Sequence, residues 1–158
     1  MASGKDVQEK VFSTFSDVAG SLGYSPTHGK IIGALLVKGR QMSLQDLAKE
    51  TGYSSGMVSL SLDLLEVLGV IKKVKKPGDR KLYVRLHGDL LACLKNALVL
   101  KIKKAIEASM AEFEESRKGL EGVKGPERER ALKTISILEK EIKRLELYIG
   151  LLEKIRLP

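Results

Sequence analysis

Cysteine and aromatic side chains are scarce in this chain of 158 residues, which has one cysteine, no tryptophan and 4% aromatic residues. The single cysteine, Cys93, excludes an intramolecular disulfide, and no cysteine and histidine cluster has the spacing of a zinc site. A low aromatic content is typical of a helical core built from Leu, Ile and Ala rather than of a β-sandwich. We therefore expect a mainly helical fold without a structural metal.

Long apolar runs are also missing. The longest, Ile31–Val37, has seven residues and contains a glycine, so it is too short for a membrane span or a signal peptide. No nucleophile with a base, no paired carboxylates and no phosphate-binding loop stands out, because Gly23–Lys30 departs from the nucleotide-binding pattern in its spacing. We expect a cytoplasmic protein that is not an enzyme and needs no cofactor.

Positive charge, in contrast, is abundant and local. Lys and Arg number 28 against 20 Asp and Glu, for a net charge of +8. Residues 69–87 hold seven basic residues and one acidic residue, a net of +6, whereas residues 43–68 hold one basic and four acidic residues, a net of −3. A concentrated basic patch favours a polyanionic partner, so we expect nucleic-acid contacts to centre on residues 69–87.

The spacing of apolar residues predicts four helices before the basic segment. Residues 6–22 form the first, and a Ser-Pro pair starts the second at Pro26, which runs toward Gly39. Ser43 is placed to cap a third helix, because its hydroxyl can accept from free N–H groups of the first turn. After a break of about four residues, Ser55–Leu68 forms the fourth helix. Two short helices joined in this way are the helix-turn-helix pattern.

The basic segment itself predicts a β-hairpin. Val70–Val74 and Leu82–Leu86 are rich in β-branched and aliphatic residues, and the Pro-Gly-Asp sequence at 77–79 between them is turn chemistry. A hairpin that follows a helix-turn-helix is a wing. We therefore predict a mainly α fold with a small β-wing, in which residues 1–87 are a winged helix-turn-helix DNA-binding domain.

The remaining residues, 88–158, predict a long antiparallel helical hairpin. Residues 88–118 and 127–156 carry apolar stripes, the second with the alternating spacing of a coiled-coil seam, and glycines separate them. Such a hairpin has more apolar surface than one copy can cover, so we expect it to be the dimerisation region of a homodimer. Its candidate dimerisation residues are Leu98, Ile102, Phe113, Ile135, Leu138, Ile142, Leu145, Ile149 and Leu152.

In a winged helix-turn-helix the second helix of the pair lies in the major groove and a basic wing reaches flanking phosphates or the minor groove. We expect Arg80 to enter the groove and Asp79 to support the wing, because phosphates repel a carboxylate. The candidate DNA-binding residues are Ser43, Ser54, Ser55, Gly56, Met57, Ser59, Leu60, Ser61, Lys75, Lys76, Gly78, Arg80 and Lys81.

Two motifs carry a family resemblance over roughly residues 25–87. The Ser-Ser-Gly-Met-Val-Ser sequence at 54–59 and the Lys-Pro-Gly-Asp-Arg-Lys-Leu-Tyr sequence at 76–83 resemble the MarR superfamily of transcriptional regulators, and most closely its GbsR-like subgroup. The resemblance implies a homodimer that binds palindromic double-stranded DNA, usually as a repressor, with dimerisation through the terminal helices. A small-molecule effector is left open.

One alternative remains at this point. The predicted recognition helix has no Arg, Asn or Gln at its start, and these are the side chains that bond bases bidentately. The chain could therefore be a winged-helix protein-interaction module, or an architectural DNA-binding protein without sharp sequence specificity, with serines that merely face solvent.

Overall fold

The computed structural model describes residues 1–158, which divide into two compact units, Met1–Leu94 and Lys95–Pro158. The predicted fold class is confirmed, since six helices accompany one small antiparallel sheet. None of these helices combines the length and apolar character needed to cross a bilayer. In chain order the elements are α1 (Gly4–Ser21), α2 (Pro26–Val37), β1 (Gln41–Ser43), α3 (Leu44–Thr51), α4 (Ser55–Val67), β2 (Ile71–Lys75), β3 (Leu82–Leu86), α5 (Leu90–Gly119) and α6 (Pro126–Lys154).

Serine caps set the beginnings of the helices in the first unit. Ser43 accepts a hydrogen bond from the backbone N–H of Asp46 at 3.1 Å and thereby starts α3, as predicted. Pro26 occupies the first turn of α2 directly after the cap. Helix α1 begins earlier than predicted, because Ser3 and Asp6 form a reciprocal capping box ahead of the first apolar residue.

Helices α1 and α2 approach each other closely at a glycine. A Cβ atom added at Gly29 would lie 2.0 Å from the backbone oxygen of Phe15. No side chain fits in that space, so Gly29 lets the backbone of α1 lie directly against α2. This close approach fixes the position of α1 relative to α2.

The sheet contains one strand more than predicted. Gln41–Ser43 pairs with β3 in antiparallel register, with Gln41 opposite Arg85, and the strand order is β1-β3-β2. A strand of three residues with one apolar side chain has no periodicity of its own, so its conformation comes from pairing with β3. The wing is therefore a three-stranded sheet at its base and a two-stranded hairpin toward its tip.

The core of the first unit lies between α2, α3, α4 and one face of the sheet. Its fully buried side chains include Ile31, Leu35, Leu47, Leu62 and Val84. Leu82, Val84 and Leu86 alternate with outward-facing residues along β3, which is the pattern of a strand packed on one face only. The helix-turn-helix and the wing thus share one core.

The second unit is the predicted hairpin of α5 and α6. Val99, Ile106 and Ile149 form its buried cluster, with Ile102, Met110, Ile142 and Leu152 packed against it. Arg117 and Glu139 join the two helices by an ion pair of 2.6 Å. The start of α5 groups instead with the first unit, where the thiol of Cys93 lies 3.4 Å from the Gly69 carbonyl oxygen.

The predicted dimerisation residues fall into two groups in this hairpin. Ile102, Ile142, Ile149 and Leu152 pack within the hairpin of one chain, and Ile135 is also buried. Leu138 and Leu145 are exposed by 44% and 38%, whereas Leu98 and Phe113 are half-buried. A further apolar set that the sequence reasoning did not select is more exposed: Leu147, Tyr148, Leu151 and Ile155.

Candidate nucleic-acid interface

The first turns of α4 present a small, uncharged and exposed surface. Ser54 caps the helix, and its hydroxyl accepts from the backbone N–H of Met57 at 3.2 Å. Met57 and Leu60 are exposed by 49% and 74%. Ser55 and Gly56 are exposed beside them. A helix start with small residues lets a polyanion approach the positive end of the helix dipole.

Two of the predicted contact residues lie inside the fold. Ser43 is 3% exposed and donates its hydroxyl hydrogen to the Asp46 carboxylate at 2.7 Å. Ser61 is 7% exposed on the core side of α4. Their roles are therefore structural in this geometry, and Ser59 is half-buried.

The second half of α4 carries two carboxylates that both pair with one lysine of the wing. Lys73 on β2 lies 2.5 Å from Asp63 and 3.4 Å from Glu66. Hydrogen bonding to Asp63 raises the pKa of Lys73, so the lysine stays charged. The charge of Lys73 is therefore compensated by the acidic residues of α4, and it does not add to the free positive charge of the wing.

The tip of the wing is held by hydrogen bonds that converge on Asp79. Its carboxylate accepts from the backbone N–H of Lys81 at 2.9 Å and from the hydroxyl of Tyr83 at 2.8 Å. The Lys81 bond, followed by the Tyr83 bond, lowers the pKa of Asp79, and the same contact with Asp79 raises the pKa of Tyr83. Gly78 has φ of 75°, which closes the turn without a Cβ penalty. The carboxylate of Asp79 therefore joins the backbone of the turn to β3.

A cation–π contact completes the tip. The Nζ atom of Lys76 lies 3.8 Å from the centre of the Tyr83 ring. Tyr83 therefore holds the side chain of Lys76 through its ring and the side chain of Asp79 through its hydroxyl. Sequence reasoning assigned Tyr83 no role; the signal that could have found it is an aromatic residue four positions after the turn aspartate. Lys75, Arg80 and Lys81 are exposed around this cluster.

This surface suits non-covalent binding to a polyanion. No group of three or more His, Cys, Asp or Glu side chains lies close enough to hold a metal ion. Burial raises the pKa of the Cys93 thiol, which disfavours the reactive thiolate. Burial lowers the pKa of His28 on α2.

Helices α2–α4 and the three-stranded sheet form a winged helix-turn-helix, and with the helical hairpin they give the fold of the winged-helix transcriptional regulators. A crystal structure described as a transcriptional regulator matches with a TM-score of 0.57 and 19% identity, over 90% of this chain and 95% of that chain. At that identity the likeness establishes the fold alone.

Two other solved structures are more distant. NadR in complex with 4-hydroxyphenylacetate has a TM-score of 0.44 and 20% identity, over 87% of each chain. A mutant of S. aureus MepR bound to an oligodeoxyribonucleotide has a TM-score of 0.44 and 17% identity, over 89% of this chain and 94% of that chain. No family model matches the sequence, and no curated protein matches it significantly.

Proposed function

We propose that this protein is a homodimeric transcriptional regulator of the MarR type that binds double-stranded DNA. The observation that carries the proposal is the wing, where a rigid turn holds Lys75, Lys76, Arg80 and Lys81 together on one exposed tip. A basic hairpin beside an exposed helix start is the arrangement with which winged helices bind a duplex.

Helix α4 enters the major groove in this proposal. Ser54, Ser55 and the free N–H groups of the first turn bind phosphate, and Met57 and Leu60 contact thymine methyl groups. Ion pairing with Lys73 reduces the repulsion between phosphates and the carboxylates at 63 and 66. Helix α4 reads bases through apolar contact, so its discrimination between sequences is modest.

The wing supplies most of the affinity. Arg80 enters the minor groove, while Lys75, Lys76 and Lys81 bind flanking phosphates. Each neutralised phosphate releases counterions, so affinity falls steeply with salt.

Dimerisation occurs through apolar side chains that the hairpin leaves exposed. Leu147 and Leu151 lie one turn apart on α6, exposed by 72% and 62%, with Tyr148 and Ile155 beside them. Because Ile142 and Ile149 already pack inside the hairpin, this second stripe is unused within one chain. A second copy covers it and brings two wings to one palindromic site. Occupation of a promoter in this way gives repression, as in the GbsR-like subgroup.

Fluorescence anisotropy with a duplex long enough for two half-sites tests the proposal. The Arg80→Ala, Lys81→Ala double variant should weaken binding to every sequence and reduce the slope of log affinity against log salt by about 0.9, the value for the one phosphate that Lys81 neutralises. The matched control, Lys104→Ala with Lys140→Ala, removes the same charge from the exposed hairpin and should leave the slope unchanged. Equal effects of both pairs would contradict a role for the wing.

An architectural role is the second candidate, favoured by the lack of Arg, Asn and Gln on the first turns of α4. Selection of bound fragments from genomic DNA separates the two. A sharp palindromic consensus supports the regulator, and a flat profile supports the architectural protein.

A further inference from the structure

A second basic site lies at the base of the wing, away from its tip. Gln41 on β1 stands opposite Arg85 on β3, and the chain turns at Gly88 just beyond the sheet. A cleft of about 430 Å³ opens between residues 39–41 and residues 85–88. We call it the basic cleft. Both of its walls belong to the first unit.

The backbone at the basic cleft is strained at an arginine. Arg40 has φ of 76° and is the one non-glycine residue of the chain at positive φ. Its N–H donates to the Leu35 oxygen at 2.6 Å, and its oxygen accepts from the N–H of Leu86 at 2.8 Å. Glycine would adopt this conformation at less cost. These two hydrogen bonds hold the strained backbone of Arg40 in place. Backbone strain at a charged residue is typical of functional sites.

The two arginines that line the basic cleft, and Lys72 on the neighbouring strand β2, have no acidic partner. Arg85 lies directly between Gln41 and Lys72 across the sheet, so two like charges are side by side, which is destabilising. Arg40, Lys72 and Arg85 form no ion pair, although nearby Lys38 pairs with Glu50 and Lys73 with Asp63. An external anion would relieve this repulsion.

The positive charge of the basic cleft favours a phosphate group. Two guanidinium forks bind planar or tetrahedral oxyanions bidentately, and three neighbouring positive charges favour a dianion over a single carboxylate. From Arg85 to Arg80 the chain spans about 16 Å at strand rise, so the cleft is a separate site from the tip of the wing. We propose that the basic cleft binds a phosphate group through Arg40 and Arg85, with Lys72 adding charge.

Calorimetric titration of the full chain with inorganic pyrophosphate at low salt tests the cleft independently of DNA. Arg40→Gln and Arg85→Gln should each weaken binding by about tenfold, the loss of one charge-assisted pair. The control Lys104→Gln removes an equal charge from α5 and should leave affinity within about twofold. Thermal unfolding of each variant reports whether it folds.

A second arm measures duplex affinity with the same variants and rests on the proposed function. If pyrophosphate does not bind but the two arginine variants lose duplex affinity and Lys104→Gln does not, the phosphate comes from DNA. If pyrophosphate binds and both arginines are needed for its binding, the natural ligand of the cleft is a free phosphate compound. That conclusion holds even if the protein does not bind DNA. If the arginine variants lose affinity for neither pyrophosphate nor the duplex, or if Lys104→Gln loses as much affinity as they do, the proposed site is wrong.

Discussion

Replacement of Arg40 by glycine should stabilise the protein while it weakens pyrophosphate binding. The left-handed conformation costs an L-residue about 1–2 kcal/mol, and glycine relieves that strain. Against this, the greater freedom of glycine in the unfolded chain costs about 0.4–1 kcal/mol. Arg40 is exposed and forms no ion pair, so little else is lost. We expect Arg40→Gly to raise the free energy of unfolding by about 0.8 kcal/mol, the difference between the midpoints of these two effects.

Urea unfolding followed by circular dichroism measures this gain, and pyrophosphate titration measures the expected loss of binding. Arg40→Ala is the matched control, because it removes the guanidinium but keeps the strain. It should lose binding without gaining stability. A destabilised Arg40→Gly protein, or one that binds pyrophosphate as well as the parent chain, would refute the reasoning about strain at the basic cleft.

Four further outcomes are expected. Tyr83→Phe should weaken duplex binding about two- to fivefold without changing the salt slope, because it loosens the wing but removes no phosphate contact; an altered slope in anisotropy would contradict this. Because the pKa of Asp79 is lowered, its carboxylate should accept its hydrogen bonds fully above about pH 4 and lose them as the pH falls through the lowered pKa. Carboxyl NMR should give a titration midpoint below 3.8 for Asp79, and Tyr83→Phe should raise that midpoint. Gly29→Ala should lower the unfolding temperature by several degrees, since its Cβ would meet backbone at 2.0 Å; an unchanged temperature would exclude the close approach of α1. Leu147→Ser with Leu151→Ser should weaken self-association more than about a hundredfold in sedimentation velocity; an unchanged dimer would place the interface elsewhere.

Local chemistry explains why the starts of α2, α3 and α4 and the turn of the wing could be predicted. The caps at Ser25, Ser43 and Ser54 and the turn at Gly78 depend on residues within four positions of one another. Strand β1 could not be predicted in the same way, because three residues of mixed polarity become a strand only beside β3.

The candidate site was harder to predict, because its charges are redistributed by tertiary contacts. The charge count assigns Lys73 to the wing, but its partners lie on α4, seven and ten residues earlier. Burial of Ser61 depends on which side of α4 faces the core, and Tyr83 gains its role only when the hairpin closes on Asp79. In α6 the heptad pattern marks an apolar seam but does not say whether α5 or a second copy covers it.

The uncharged start of α4 makes the protein a candidate scaffold for engineered DNA recognition. Gly56, Met57 and Leu60 are exposed, so Arg or Asn at these positions would add base-reading groups without disturbing the core. Asp63 and Glu66 cannot be exchanged as freely, because each also balances Lys73. A library confined to the first two turns of α4 would therefore vary sequence preference while the wing keeps affinity constant.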